Sequence, residues 1–195
     1  FCGVVLHLLT FFIEKGDIAY QNYYILSPLL TLIFFIKLYK AKDEKPFKNI
    51  AYTFLGIIYV ALPFALLTVL AFIQNDTYDT NIVLGCLFLL WASDSGAYFA
   101  GTKFGKTKLF ERVSPKKSWE GSVGGLIAAM AVAYIISIYY TNYAPWQWFS
   151  IGFIIVVAGT YGDLVESLFK RSMNIKDSAD TIPGHGGFLD RFDGL

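Results

Sequence analysis

Five long apolar runs, at 22–39, 50–73, 81–100, 121–140 and 148–169, follow one another with charged or polar connections between them. A helix needs about 20 residues to cross roughly 30 Å of hydrocarbon, and within lipid every backbone group must be satisfied inside the segment or by its neighbours. Runs of this length in this order restrict the chain to an all-α, polytopic helical integral membrane fold. A sixth run, 1–13, is too short to cross alone and lacks the basic start and small-residue cleavage site of a signal peptide. The chain opens on Phe1 rather than Met and closes on Gly194-Leu195, so both ends are expected to be cut inside or beside further spans. Composition agrees, with 55% apolar and 18% aromatic residues. No internal repeat, low-complexity tract or long polar linker marks off a soluble domain.

Lys and Arg alternate from one connection to the next. Lys37, Lys40, Lys42, Lys45 and Lys48 crowd one loop; Lys103, Lys106, Lys108, Arg112, Lys116 and Lys117 crowd another; Lys170, Arg171, Lys176 and Arg191 follow the last run. The connections at 74–80 and 141–147 have none, and 14–21 has only Lys15. By the positive-inside rule the basic loops are expected on the cytoplasmic side. The net charge of +1 hides this asymmetry, and no nucleic-acid partner is expected. Cys2 and Cys86 read as small core or lipid-facing residues, without a disulfide framework or zinc site. Pro63, inside an apolar run, is expected to kink its helix or free a carbonyl. His7 reads as a packed histidine.

The densest chemistry lies from Ser167 to Asp193, where cations, carboxylates and His185 sit directly after an apolar run. Charge beside a bilayer survives mainly where it lines a cavity, pairs or binds an ion, so this stretch is a candidate active site. Asp163, Glu166, Ser167 and Lys170 stand at helical offsets that place them on one face. Two compensations for the buried carboxylates are open: a divalent cation, or a Glu166–Lys170 ion pair with Asp163 turned to solvent. Downstream, Gly186 and Gly187 let backbone amides approach an anion. Asp190 and Asp193, three apart, suit Mg²⁺, which keeps waters and takes one or two carboxylates together with substrate phosphates.

Upstream, Asp94 lies in an apolar run among small residues at 92, 93, 95, 96 and 97, which permit close helix packing or leave room for a ligand. Ser114-Pro-Lys-Lys-Ser-Trp-Glu-Gly then sets Lys116 and Lys117 between the hydroxyls of Ser114 and Ser118, with Glu120 beside them and a glycine-rich helix start following. Cations, hydroxyls and a helix N-terminus suit phosphate groups. A charge cluster drawn to anionic lipid explains Lys103, Lys106 and Lys108 equally well.

These residues resemble the phosphatidate cytidylyltransferases, also called CDP-diacylglycerol synthases. The family signature runs Ser, then Lys-Arg, Lys-Asp, His-Gly-Gly and Asp-Arg-x-Asp; here Ser167, Lys170, Arg171, Lys176, Asp177, His185, Gly186, Gly187, Asp190, Arg191 and Asp193 fill it without a gap. The stretches beginning at Asp94, Ser114 and Gly162 also look like family motifs, whereas residues 1–80 resemble it only as apolar spans. The resemblance implies a Mg²⁺-dependent nucleotidyltransferase converting CTP and phosphatidate to CDP-diacylglycerol and pyrophosphate. It implies 1–80 as N-terminal spans and 81–195 as the catalytic region, in a multi-pass cell-membrane protein whose polar active-site cavity faces the cytoplasm. It also admits a homodimer.

In that scheme Asp163 and Asp190, with Glu166 and Asp193 near, are the expected metal ligands. Asp163, Lys170, Asp190 and His185 are the expected catalytic set. Asp94, Ser114, Lys116, Lys117, Ser118, Glu120, Ser167, Arg171, Lys176, Asp177, Gly186, Gly187 and Arg191 are expected to bind CTP or phosphatidate. His185 is read as a phosphate or metal-shell contact, because a phosphate monoester nucleophile is largely ionised at pH 7 and needs no base. Two rivals compete with this reading. A CTP-dependent lipid alcohol kinase of the dolichol or phytol type would move the γ-phosphoryl and need a base. A transporter would use Asp94, Asp163 and Glu166 as a pathway, though such folds are commonly built from repeats.

Overall fold

The computed structural model describes residues 1–40, 45–73 and 77–172. They fall into two compact units, Phe1–Val83 and a second beginning at Leu84.

In the first unit, α1 (Cys2–Glu14) ends at Gly16, whose φ of +85° is open to glycine at no steric cost. The Gly16 N–H donates to the Ile13 carbonyl at 2.9 Å and the Asp17 N–H to the Phe12 carbonyl at 3.0 Å, the paired bonds of a Schellman cap. Helix α2 (Leu26–Leu38) follows a 3₁₀ turn, Tyr20–Ile25. The run read at 22–39 as one crossing helix is thus divided. At 1.5 Å per residue the α-helical part rises about 20 Å, short of the hydrocarbon thickness. Helices α3 (Pro46–Gly56) and α4 (Leu62–Ala71) are joined by a π-helical turn, Ile57–Ala61. Its cause is Pro63, which has no N–H for the carbonyl one turn back and clashes with it, so the backbone widens there. Helix α1 lies along α4, where His7 Nδ1 meets Thr68 Oγ1 at 3.4 Å.

The second unit contains most of α5 (Thr80–Phe104), a hairpin of β1 (Lys108–Phe110) and β2 (Ser114–Ser118), and the long helices α6 (Trp119–Tyr139) and α7 (Pro145–Ser172). The small residues around Asp94 serve close packing. A Cβ added to Gly96 would lie 2.5 Å from the Ala128 Cβ and 2.8 Å from the Gly124 carbonyl oxygen, and one on Gly125 would lie 2.8 Å from the Ser93 carbonyl. Helices α5 and α6 therefore touch backbone to backbone, the arrangement that small residues permit in membranes, where dispersion rather than water drives association. Helix α7 packs along α6 and is anchored by Trp148, fully buried against Gly85, with its Nε1 donating to the Tyr140 carbonyl at 3.3 Å.

Among the described residues, four helical stretches are long and apolar enough to cross a membrane: Pro46–Ala71, Thr80–Phe104, Trp119–Tyr139 and Pro145–Ser172. In an 18-residue window of each, between 11% and 28% of the residues are buried within the protein, so much apolar surface faces outward. The chain is a helical integral membrane protein. Among the described residues the departure from all-α is the antiparallel β1–β2 hairpin, with Lys108 opposite Ser118, Phe110 opposite Ser114 and an irregular register between. Pro115 is tolerated there because a two-stranded ribbon leaves outward-facing N–H positions unbonded. Cys2 and Cys86 are free and half-buried.

Gly96→Ala is expected to cost about 1–3 kcal/mol through overpacking. Gly56→Ala, with open space where its Cβ would go, is expected to be neutral or to gain up to about 1 kcal/mol of helix propensity. Thermal unfolding of the two variants in detergent checks the contrast.

Candidate phosphate-binding cavity

The α5–α6 contact sets the floor of a cavity of about 370 Å³ whose walls are α5, β2, the start of α6 and the middle of α7. Asp94 and Gly101 come from α5, Lys116 and Lys117 from β2, Ser118 and Gly121 from the β2–α6 junction, and Gly159 and Asp163 from α7. Sequence positions far apart are thereby brought to one place. Lys117 Nζ forms an ion pair with Asp163 Oδ2, both side chains being about two-thirds to three-quarters buried. Asp163 Oδ1 also accepts from Ser167 Oγ at 3.3 Å.

The junction between hairpin and helix explains how β2 carries its lysines to the cavity mouth. Ser118 is the N-cap of α6, its Oγ accepting from the Gly121 N–H at 3.2 Å, and it is buried. Glu120, in the first helical turn, accepts from the backbone N–H of Lys106 at 3.2 Å and of Thr107 at 3.1 Å. The Trp119 N–H donates to the Thr107 carbonyl at 3.0 Å. Glu120 thus ties the loop after α5 to α6 and is not part of the cavity lining, nor is Ser114, which pairs within the hairpin.

The face read from the offsets of Asp163, Glu166, Ser167 and Lys170 divides into two edges. Asp163 and Ser167 bond to each other, with Asp163 at the cavity. Glu166 is fully buried, its Oε1 3.5 Å from Lys170 Nζ. The Glu166–Lys170 pair weighed from the sequence is present, but Asp163 faces Lys117 rather than solvent. Arg171 is exposed on the last turn of α7. Lys176, Asp177, His185, Gly186, Gly187, Asp190, Arg191 and Asp193 lie outside the described residues.

Tyr98, Ser122 and Thr160, given no role from the sequence, also line the cavity, as does Ser93, one of the small residues around Asp94. Helical spacing was the available signal: Tyr98 stands four after Asp94, Ser122 four after Ser118 and Thr160 three before Asp163.

An oxygen-only set of two carboxylates, Asp94 and Asp163, suits a hard cation such as Mg²⁺, which completes its octahedron with waters and substrate phosphates. Among the described residues no cluster of three or more His, Cys, Asp or Glu gathers at one point, so an all-protein cage is absent there. Neighbouring lysines supply the positive field for an anionic substrate.

Fold and site define a helical integral membrane protein with a cavity lined by cations, hydroxyls and carboxylates, suited to phosphate groups. Residues 1–195 match the cytidylyltransferase family, and the chain belongs to it. It is 40% identical over 176 residues to the phosphatidate cytidylyltransferase of Haemophilus influenzae, covering 86% of this chain and 60% of that protein. The proteins of that name from Staphylococcus saprophyticus and Bacillus subtilis are 37% and 34% identical, over 86% and 93% of this chain and 64% and 66% of theirs. The chain thus spans 60% to 66% of the length of these relatives.

Replacing Glu120 by Ala is expected to free the Lys106 and Thr107 amides. Hydrogen–deuterium exchange at these positions should accelerate while exchange within α6 beyond its first turn stays unchanged; unaltered protection at Lys106 and Thr107 would show that the carboxylate does not hold them.

Proposed function

We propose that this chain carries the catalytic region of a phosphatidate cytidylyltransferase, which forms CDP-diacylglycerol and pyrophosphate from CTP and phosphatidate. The observation that carries the reading is the meeting of Lys116, Lys117, Asp94 and Asp163 in one cavity among membrane-spanning helices, in a chain of the cytidylyltransferase family. An ionised phosphate oxygen of the lipid attacks the α-phosphorus of CTP. A new P–O bond forms there, the bond to the bridging oxygen of the β-phosphate breaks, and pyrophosphate leaves with the electron pair.

Lys116 and Lys117 hold the triphosphate by charge-assisted hydrogen bonds, so the reacting groups meet already oriented. Ser167 keeps the Asp163 carboxylate in its rotamer from one turn away. Asp163 and Asp94, which both line the cavity, would hold Mg²⁺; Asp190 and Asp193, outside the described residues, are proposed as ligands on the signature alone. Bound there, the ion supplies positive charge against the transferring and leaving phosphates. Glu166, fully buried beside Lys170, supports the helix that carries Asp163. Asp94, read from the sequence as a substrate contact, lines the same cavity, and we assign it to the metal side. The alternation of connections rich and poor in Lys and Arg supports an orientation with the cavity open to the cytoplasm, where CTP is found. The lipid keeps its tails among the helices and in the bilayer.

Membranes containing the full-length protein, incubated with phosphatidate and CTP, test the reaction. Label from the α-phosphate is expected in lipid and label from the γ-phosphate in pyrophosphate; γ-label in lipid would instead assign the kinase reaction. Asp163→Ala should lower kcat/KM by roughly 10²-fold or more, in line with the loss of a preorganised electrostatic contact. Lys15→Ala, which breaks only the exposed 2.8 Å pair with Asp17, should leave turnover unaltered, since surface ion pairs contribute little.

A further inference from the structure

Beside the polar cavity lies a second hollow of about 300 Å³, almost wholly apolar, between the hairpin, α6 and α7. Leu109 and Phe110 of β1, Val123 and Leu126 of α6, and Phe153 and Val157 of α7 form its walls. The two hollows share a border, because Ser122 and Thr160 line both. The border hydroxyls are already engaged on their own helices: Ser122 Oγ donates to the Ser118 carbonyl at 3.3 Å and Thr160 Oγ1 to the Val156 carbonyl at 2.7 Å. They make no demand on an apolar group lying across them.

The hairpin divides its strands in the same way. Its β2 residues Lys116, Lys117 and Ser118 face the polar cavity, and its β1 residues Leu109 and Phe110 face the apolar hollow. A cation-lined compartment that borders an apolar one fits an amphiphile whose anionic head and hydrocarbon tail leave the same glycerol. We infer that the apolar groove seats one acyl chain of the phosphatidate whose phosphate enters the polar cavity, an inference that rests on the function proposed above. A lipid tail gains little free energy by exchanging bilayer for groove, since both are apolar. What the groove supplies is position. A chain held at its first methylenes fixes the glycerol, and through it the attacking phosphate, and small misplacements of reacting groups are costly in rate.

Val157→Trp in the full-length enzyme fills the groove from α7. Ile154→Trp, on the same helix but lining neither hollow and 62% exposed, is the control for added bulk at the lipid face. The readout is the ratio of kcat/KM for dioleoyl to that for dihexanoyl phosphatidate. The ratio should fall about tenfold or more in Val157→Trp, with kcat/KM for long chains losing most, and hold in Ile154→Trp. An unmoved ratio, or equal falls in both variants, overturns the groove assignment while leaving the reaction intact. Absence of CDP-lipid from the unsubstituted enzyme with either substrate would instead overturn the reaction itself.

A measurement independent of turnover and of variant folding uses phosphatidate with a diazirine on its acyl chain, cross-linked to the unsubstituted protein in phosphatidylcholine vesicles and mapped by mass spectrometry. Label on Leu126, Phe153 or Val157 that excess unlabelled phosphatidate removes supports the assignment. Label spread over the lipid-facing helices, or equal labelling by a phosphatidylcholine probe, shows an ordinary bilayer contact and overturns it.

Discussion

Everything in the second unit depends on how closely α5 and α6 approach. Gly96, Gly124 and Gly125 leave no room for a Cβ between the backbones, and that contact fixes where Asp94 stands relative to Ser118 and the hairpin. A gap of one methyl group would separate the carboxylate on one wall from the lysines on another. The constraint is one of shape rather than hydrophobicity, since in lipid an apolar side chain gains nothing by leaving the bilayer for a neighbouring helix. Helix α7 completes the site because Trp148 pins it over Gly85 and Gly152 lets it sit against Met130, Leu89 and Ala133.

The Lys117–Asp163 pair is the second organising contact. It joins a strand residue to a helix residue distant in sequence and holds two charges in a partly buried space. Such a pair tolerates desolvation only while each charge has a partner. A site with this pairing stays close to electrical neutrality at rest.

Much of this was legible from the chain. The spans, the cation clusters and the carboxylates at helical spacing are local patterns, and the four long apolar helices among the described residues follow from the spans. Less was legible wherever tertiary contact decided. Glu120 looked like a companion of Lys116 and Lys117, but its partners are two backbone amides upstream, which no spacing rule reveals. The offsets of Asp163, Glu166, Ser167 and Lys170 gave one face, and packing split it, because the Asp163 edge meets β2 while Glu166 is buried beside Lys170. The 22–39 run read as one helix, yet a 3₁₀ turn takes its first part. The 50–73 run held its length, but Pro63 shifts the helical phase through the π turn at Ile57–Ala61. Residues on either side of that turn therefore face directions that a uniform 3.6 period does not give.

The grip of Glu120 on the amides of Lys106 and Thr107 closes the hairpin at its neck. Its two parts then differ in how freely they can change. At the tip, Glu111 to Val113, residues could be added at the modest entropic cost of a longer surface loop, without moving the point where the strands enter the fold. Between Lys117 and Glu120 a single inserted residue would turn the lysine side chains to the opposite side of the ribbon while the neck stayed shut. Length variation among natural or engineered versions of this chain should therefore gather at the tip, and the spacing from the lysines to the helix start should stay constant even where the residues themselves differ.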